Sequence, residues 1–323
     1  MNQSDFVSDR DVLTTPQGLV TGRIVRGNAG LYDVIGQDGV IYSCRARGSF
    51  RHDRITPLVG DRVTVLSGED GTCRIEQILP RKNELIRPPF ANLDVLFLVL
   101  AAKDPAPSLL YADKLLAIAE YQKIEPAVVI NKCGKAPQEA EKIGEIYRKA
   151  GYPVFLTDMK SGMGRDELLS FILSQKEEKV AAFSGPSGVG KSTIMNALFG
   201  TLQRQTGELS EKTARGKHTT RLVELYRLSD LMGTDTPGYL ADTPGFSMID
   251  FDRFDFFRLS DLPETFREFR PHLSGCRYTK CTHTKEEGCA VLDAVRRGEI
   301  APSRHESFLD LYASLKEKPS WKN

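Results

Sequence analysis

The feature that most constrains this chain is the run GPSGVGKS at residues 185–192. It fills the template G-x-x-x-x-G-K-[ST], in which backbone N–H groups surround phosphates, the lysine reaches the terminal phosphates and the hydroxyl binds Mg²⁺. An apolar run at 180–183 precedes it as a predicted strand, and residues 192–199 follow as a predicted helix that Gly200 can end. Because a helix N-terminus favours anions, the run predicts a phosphate-binding loop.

The alternative is a glycine-rich turn that fills the template by chance, which leaves the strand before it and the helix after it unexplained. Ser192 is the predicted Mg²⁺ ligand of the loop. The residues predicted to surround the nucleotide phosphates are Gly185, Pro186, Ser187, Gly188, Val189, Gly190, Lys191, Ser192 and Thr193.

Length and charge limit what the rest of the chain can be. The 323 residues are enough for two or three domains, and a formal net charge of +1 means that a nucleic acid would have to be bound by local basic patches. The first residues, MNQSDFVSDRDV, lack the basic and apolar regions of a secretory signal. The longest apolar run, at 95–102, is less than half the roughly 20 residues needed to span a bilayer. We therefore expect a cytoplasmic protein without a membrane partner.

Residues 1–16 are expected to form a flexible arm, and residues 17–83 contain five short runs of alternating character separated by Gly, Asn and Asp turns. Five strands at this spacing favour a small antiparallel barrel of the OB type. Arginines and aromatic residues are interleaved in it and either form a face for RNA or are a solvated face over core aromatics. These residues are Arg23, Arg26, Arg45, Arg47, Arg51, Arg54 and Arg62, with Tyr32, Tyr42 and Phe50.

Residues 84–250 alternate strands with helices, beginning after a linker rich in proline and charge. The predicted elements are a strand at 95–102, a helix at 109–121, a strand at 127–130, a helix at 138–150, a strand at 154–157 and a helix at 165–173. Such alternation predicts an α/β domain with a parallel sheet covered on both faces, and the phosphate loop lies in its middle.

Asn131 and Lys132 come directly after the strand predicted at 127–130. In open α/β sheets ligands bind beyond the carboxyl ends of the strands, so both residues are expected in the crevice of the phosphate loop, where they can touch a nucleotide base. The pair resembles the start of the N-K-x-D base motif of GTPases, which in ordinary GTPases follows the phosphate loop. Either the match is chance, or the domain is a circular permutation.

Two segments behind the loop favour the permutation. GKHTT at 216–220 resembles a switch segment, in which Thr219 and Thr220 would meet the γ-phosphate and Thr220 would bind Mg²⁺. In DTPG at 242–245, Asp242 is predicted beside Mg²⁺ and Gly245 beside the γ-phosphate. An earlier DTPG at 235–238 follows no apolar strand and is predicted to be a turn.

The last quarter of the chain, residues 251–323, contains a cluster of metal-ligand residues within a predicted helical domain. Cys276, Cys281, His283 and Cys289 form C-x₄-C-x-H-x₅-C, which supplies three thiolates and one imidazole to a closed tetrahedral site. A closed site has no open catalytic position, so we expect one structural Zn²⁺. The other three cysteines are expected to be ordinary core or loop residues.

The order of the NK pair, the phosphate loop, RGKHTT, ADTPGF and the cysteine cluster resembles the RsgA family, also called YjeQ or YloQ. These are circularly permuted GTPases of bacterial small ribosomal subunit biogenesis. The resemblance runs from about Gly18 to the C-terminal helices and implies an OB fold, a permuted GTPase domain and a zinc domain. It also implies a monomer that binds GTP or GDP with Mg²⁺, contacts 16S rRNA, and assists late maturation through hydrolysis stimulated by the 30S subunit.

Two positions depart from the expected pattern. The family has an aspartate where this chain has Gly134, and loss of its contact with guanine would weaken discrimination against adenine by about 1–3 kcal/mol. Asp158, after the next strand, either replaces that carboxylate or is a solvated loop aspartate, which is the simpler interpretation. Phe246 stands where Ras-like enzymes have a water-orienting glutamine.

His218 is the closest polar candidate in the switch segment for the role of that glutamine. It is therefore the predicted catalytic residue, which would position or polarise the attacking water. The alternative for it is a solvated loop histidine. Two other functions stay open at this point. Gly134 allows an NTPase of relaxed base specificity, and Phe246 allows an rRNA-binding adaptor that binds nucleotide with little hydrolysis.

Overall fold

The computed structural model describes residues 18–48, 50, 55–68, 71–86, 89–174, 178–200, 223–242 and 258–317. Contacts divide the chain into two compact units, Met1–Arg81 and Lys82–Asn323. Within the described residues, no helix combines the length and the apolar character that a membrane crossing requires.

The first unit contains a small β-barrel. Its described strands are β1 (Gly18–Asn28), β2 (Leu31–Gly36), β3 (Ile41–Ala46), β4 (Arg62–Ser67) and β5 (Cys73–Ile78). β1 pairs antiparallel with both β2 and β4, β2 pairs with β3, and β5 joins β3 to β4, so the hydrogen bonding closes into a ring. The interior contains Ile24, Val34, Val63 and Ile75, all with less than 1% of their surface exposed. The predicted five-stranded barrel of the OB type is confirmed.

The arginines and aromatics of the barrel do not form one face. Arg23 is 7% exposed and donates a hydrogen bond to the Gly60 carbonyl at 3.1 Å. Tyr42 is 1% exposed and its hydroxyl donates to Asp38 at 2.6 Å. These two residues are therefore part of the core and are not available to stack or hold RNA. Arg45 and Arg62 are exposed, whereas Arg51 and Arg54 lie outside the described residues.

The second unit begins with a hairpin of β6 (Glu84–Ile86) and β7 (Pro89–Ala91) and continues as an α/β domain. Its elements in chain order are β8 (Val95–Ala101), α1 (Leu109–Tyr121), β9 (Glu125–Asn131), α2 (Pro137–Lys149), β10 (Val154–Leu156), α3 (Arg165–Leu173), β11 (Val180–Ser184), α4 (Lys191–Phe199), β12 (Glu224–Arg227), α5 (Leu228–Met232) and β13 (Tyr239–Asp242). The predicted strands and helices agree with these bounds to within two residues at nearly every end.

The sheet of this domain has the order β10-β9-β8-β11-β13-β12, and each of these pairings except β12 with β13 is parallel. Every residue of β8 and of β11 is buried, as expected for strands with helices on both faces. Phe97 of β8 stacks on Phe183 of β11 with 4.9 Å between ring centroids. Because parallel strands end at one edge, Asn131, Ser184 and Asp242 come to the same edge of the sheet.

The C-terminal part of the second unit consists of short 3₁₀ turns and helices. It contains 3₁₀ turns at Leu259–Thr265 and Arg267–Phe269, followed by α6 (Arg270–Leu273), α7 (Ala290–Arg296) and α8 (Pro302–Lys316). The sequence predicts helix over residues 251–270, and the described part of this range, from residue 258, is largely 3₁₀. It includes Pro263, which removes one backbone donor. Phe266, Phe269 and Phe308 form its small core, with ring centroids 5.0 to 5.4 Å apart.

A buried ion-pair network joins this C-terminal part to helix α1. Arg304 of α8 is 1% exposed and lies 2.6 Å from Asp113 of α1 and 2.6 Å from Glu268. Tyr147 of α2 donates a hydrogen bond to Asp113 at 3.1 Å. Around this network, Arg267 forms an ion pair with Glu120 at 2.7 Å. Charges buried this deeply are stable only together, so the network fixes how α8 lies on α1.

We predict that Arg304→Ala lowers the free energy of unfolding by about 3–5 kcal/mol, because it leaves the Asp113 and Glu268 carboxylates buried without a cation. The urea midpoint of the second unit measures this loss. Arg296→Ala is the matched control, since Arg296 is 71% exposed and pairs with Asp293 on the surface; its effect should stay within about 0.5 kcal/mol. Equal midpoints for the two variants would show that the network contributes nothing to stability.

Candidate nucleotide and metal sites

The phosphate loop runs from the end of β11 to the start of α4. Gly185 has φ +150°, and a Cβ built on it would lie 2.2 Å from the Val99 carbonyl oxygen. Gly190 has φ +101°, and a Cβ there would lie 2.3 Å from Nδ2 of Asn131. Neither position has room for a side chain, and both have backbone angles that residues with side chains rarely adopt. This explains both glycines of the template.

Lys191 is held inside the curve of this loop. Its Nζ donates hydrogen bonds to the carbonyl of Gly185 at 2.6 Å and to that of Pro186 at 2.9 Å. Burial lowers the pKa of this lysine. Ser192 and Thr193 are exposed in the first turn of α4. An ammonium group and two hydroxyls therefore lie at a helix N-terminus, which is the arrangement that binds phosphate and Mg²⁺ in P-loop proteins.

Asn131 and Lys132 contact the phosphate loop directly. Asn131 is 3% exposed; its Nδ2 donates to the Val189 carbonyl at 3.0 Å, and its Oδ1 accepts from the Thr157 hydroxyl at 3.2 Å. Lys132 adopts the left-handed conformation, with φ +61°, and its Nζ donates to the Gly188 carbonyl at 2.7 Å. The structure thus brings the NK pair and the phosphate loop into one crevice, as their positions at strand ends predict.

Sequence reasoning missed Asp104 at this crevice. Its carbonyl accepts a hydrogen bond from Nζ of Lys132, and its carboxylate lies 3.2 Å from Nζ of Lys135. The available signal was its position shortly after β8, at the edge of the sheet where ligands bind.

The loops after β9 and β10 are hydrogen-bonded to each other. Cys133 N–H donates to the Thr157 carbonyl at 3.1 Å, and Gly134 N–H donates to Oδ2 of Asp158 at 3.0 Å. Asp158 is half-buried, and its carboxylate thus contacts the backbone at the position that lacks the family's aspartate.

Asp242, the first residue of the second DTPG motif, and the earlier motif at 235–238 lie at opposite ends of β13. Asp242 is the last residue of β13 and lies at its carboxyl end. β13 pairs directly with β11, the strand that leads into the phosphate loop. Residues 235–238 precede β13 without regular structure, at the end of the sheet that is remote from the phosphate loop. His218, Thr219, Thr220 and Gly245 lie outside the described residues.

The ligand atoms of Cys276, Cys281, His283 and Cys289 lie within 4.8 Å of one another. Cys276 Sγ is 3.9 Å from Cys289 Sγ, and each of these two sulfurs is 3.5 Å from Nδ1 of His283. Tetrahedral Zn²⁺ with bonds of about 2.3 Å to sulfur and about 2.0 Å to nitrogen requires separations of about 3.8 and 3.5 Å. The four residues therefore fit zinc.

The loop that carries these ligands is ordered by hydrogen bonds. The Glu286 carboxylate accepts from the N–H groups of Thr282 at 2.9 Å and Thr284 at 3.1 Å. Partial burial opposes ionisation, but hydrogen bonds from the Thr282 hydroxyl and from backbone N–H groups, including those of Thr282 and Lys285, prevail and lower the pKa of Glu286 to about 2. Burial raises the pKa of the Cys281 thiol to about 12, so a thiolate there requires an adjacent cation such as Zn²⁺.

The chain is similar to known proteins over nearly its whole length. A family model described as RsgA GTPase matches residues 78–252, and one described as RsgA N-terminal domain matches residues 21–75. The chain is 43% identical over 300 residues to the small ribosomal subunit biogenesis GTPase RsgA of Caldanaerobacter subterraneus, which covers 93% of this chain and 97% of that protein. It is 38% identical over 304 residues to the protein of the same name from Geobacillus thermodenitrificans, covering 93% and 99% of the two chains.

Two solved structures share the fold. YjeQ from Thermotoga maritima aligns with a TM-score of 0.76 and 31% identity, covering 94% of this chain and 100% of that one. YloQ, described as a circularly permuted GTPase, aligns with a TM-score of 0.74 and 33% identity, covering 94% and 97%.

A parallel sheet in which the NK strand precedes the phosphate-loop strand, with both loops in one crevice, defines a circularly permuted P-loop GTPase. A GTPase of this class works on GTP with Mg²⁺. The chain belongs to the RsgA family, as the family models and the relatives show. The resemblance stated from the sequence motifs is confirmed.

We predict that the protein binds one zinc ion per chain. The Cys289→Ser variant should lose this ion, because a hydroxyl is a poor fourth ligand for this soft site. Metal analysis of the purified protein measures it. Cys73→Ser is the control, since Cys73 lies on β5 of the barrel and is not one of the four ligands, so the zinc content should stay unchanged. Full zinc content in Cys289→Ser would exclude the four-ligand site.

Proposed function

We propose that the chain is a GTPase that binds the small ribosomal subunit and assists its late maturation, hydrolysing GTP to GDP and phosphate faster when the 30S subunit is bound. The observation that carries the proposal is the direct contact of Asn131 and Lys132 with the phosphate loop. The contact brings the loop of the NK pair and the phosphate loop into one crevice, and this supports the binding of a nucleotide by its base and its phosphates. The names of the relatives supply the partner.

The roles of individual residues within this function are part of the proposal. Lys191 and the backbone N–H groups of residues 185–190 bind the phosphates, and Ser192, Thr220 and Asp242 hold Mg²⁺. Asp242 lies at the carboxyl end of β13, which supports it as the Mg²⁺ ligand in preference to the aspartate of the earlier DTPG. Thr219 and Gly245 meet the γ-phosphate. His218 positions the attacking water, which is supported by its place in the switch sequence and by Phe246 at the glutamine position.

We further propose that residues 17–83, 84–250 and 251–323 act as OB, GTPase and zinc domains, after an arm at residues 1–16. The outer two domains would contact 16S rRNA through exposed basic residues such as Arg45, Arg62 and Lys280. The protein would act as a cytoplasmic monomer, since its partner is the ribosomal subunit itself.

Lys191→Ala should lower GTP hydrolysis by about 100-fold or more, because an ammonium at the terminal phosphates is lost. Phosphate release at saturating 30S subunits measures the rate. Lys142→Ala removes an exposed lysine on α2 and should leave the rate unchanged. Zinc content should be equal in both variants, and retained turnover in Lys191→Ala would contradict the phosphate assignment.

His218→Ala should lower the 30S-stimulated rate by about 10²- to 10⁴-fold and leave GTP binding intact, because only the water-positioning group is removed. Phosphate release with and without 30S subunits separates the stimulated from the basal rate. If the wild type shows no stimulation and His218→Ala hydrolyses at the wild-type rate, the chain is an rRNA-binding adaptor instead.

A further inference from the structure

We propose that Asp158 reads the guanine base in place of the carboxylate that is missing at position 134. This inference rests on the proposed function, since it names the residue that gives the nucleotide crevice its preference for guanine. The carboxylate comes from the loop after β10, 24 residues further along the chain than Gly134.

The Asp158 carboxylate occupies the space into which a side chain at position 134 would extend. Oδ2 of Asp158 accepts the Gly134 N–H at 3.0 Å. A Cβ built on Gly134 would lie only 2.6 Å from the same oxygen. An aspartate at position 134 would therefore start in contact with the carboxylate of Asp158, and the two negative charges would repel each other. A side chain at position 134 would therefore require the Asp158 carboxylate to move.

Further contacts connect this carboxylate to Asn131, which lies in the part of the nucleotide crevice where the base is proposed to bind. Thr157, the preceding residue, donates its hydroxyl to Asn131, and Asn131 in turn donates to the phosphate loop. The loop that carries Asp158 is closed by two backbone hydrogen bonds with Met163, at 3.0 and 3.1 Å. Asp158 thus contacts the base loop directly at Gly134, and its neighbour Thr157 connects it through Asn131 to the phosphate loop.

The carboxylate has the acceptor capacity that guanine needs. An ionised carboxylate can accept about four hydrogen bonds, two on each oxygen. Among the described residues, Gly134 N–H donates to Oδ2 at 3.0 Å and Lys160 N–H donates to Oδ1 at 3.2 Å. One acceptor position on each oxygen remains for the adjacent N1–H and N2–H donors of guanine. Adenine has an acceptor at N1 and no amino group at C2, so it would leave the carboxylate unpaired.

The test compares the binding of fluorescent GDP, ADP and xanthosine diphosphate to the full-length chain. We expect the wild type to prefer GDP over ADP and Asp158→Ala to bind GDP about 10- to 100-fold more weakly, with ADP affinity little changed. Asp166→Ala is the matched control, because Asp166 is an exposed carboxylate eight residues away at the start of α3; it should keep the wild-type preference.

Two further variants separate base reading from a structural role. Asp158→Asn replaces one acceptor by an N–H donor, which matches the C2 carbonyl of xanthine, so the preference should move from guanine to xanthine. The double variant Asp158→Ala with Gly134→Asp puts a carboxylate back from the other side of the contact, and it should regain most of the preference for GDP. A loop that is merely destabilised would produce neither result.

The outcomes that overturn the inference are distinct from those that overturn the proposed function. Equal affinity of the wild type for GDP and ADP would show that no carboxylate reads the base, and the chain would be an NTPase of relaxed specificity. An unchanged preference for GDP in Asp158→Ala and Asp158→Asn would remove Asp158 while keeping the GTPase. If Asp158→Ala fails to fold, the xanthine preference of Asp158→Asn decides. A wild type that binds no nucleotide would remove the proposed function as well.

Discussion

The buried amide of Asn131 is the contact on which the arrangement of the nucleotide crevice depends. It donates to the Val189 carbonyl of the phosphate loop and accepts from the hydroxyl of Thr157 after β10. A buried amide left without partners would cost about 1–3 kcal/mol, so these loops are stable only when they lie together. The close approach also explains Gly190, because a Cβ there would collide with the Asn131 amide. The base loop and the phosphate loop thus form a single preorganised surface.

A second constraint joins that crevice to the zinc-bearing end of the chain. Helix α1 follows β8, the strand between the NK strand and the phosphate-loop strand, and it carries Asp113. Arg304 of α8 is paired with Asp113 and with Glu268 in a fully buried setting. Such a network adds little net stability compared with an apolar core, but separating its members would leave buried charges unpaired, which opposes other placements of α8 on α1. The part of the chain that carries the zinc ligands is therefore joined to the GTPase sheet through buried charges.

Much of the fold followed from periodicity in the sequence. The barrel, the alternating α/β elements and the order of the motifs were all predicted, because strands buried on both faces are uniformly apolar and turns are marked by glycine. The arginines and aromatics of the barrel were not resolved in the same way. The sequence fitted both an RNA-binding face and a solvated face over core aromatics. The structure shows that Arg23 and Tyr42 are core residues. Side-chain direction in a twisted, closed barrel depends on strand pairing, which composition does not encode.

The sequence by itself determined the phosphate loop and the zinc-ligand set, because both depend on residues that are close together in the chain. The glycines of the phosphate loop permit its backbone conformation, and all four zinc ligands lie within 14 residues. Only the tertiary structure decided where Asp158 lies. It is 24 residues from Gly134, and the two meet because β9 and β10 are adjacent parallel strands whose loops leave the same edge. The sequence showed the missing carboxylate and left two alternatives for Asp158. The contact between Asp158 and Gly134 became known only from the assembled sheet, since no local pattern records which distant loops share an edge.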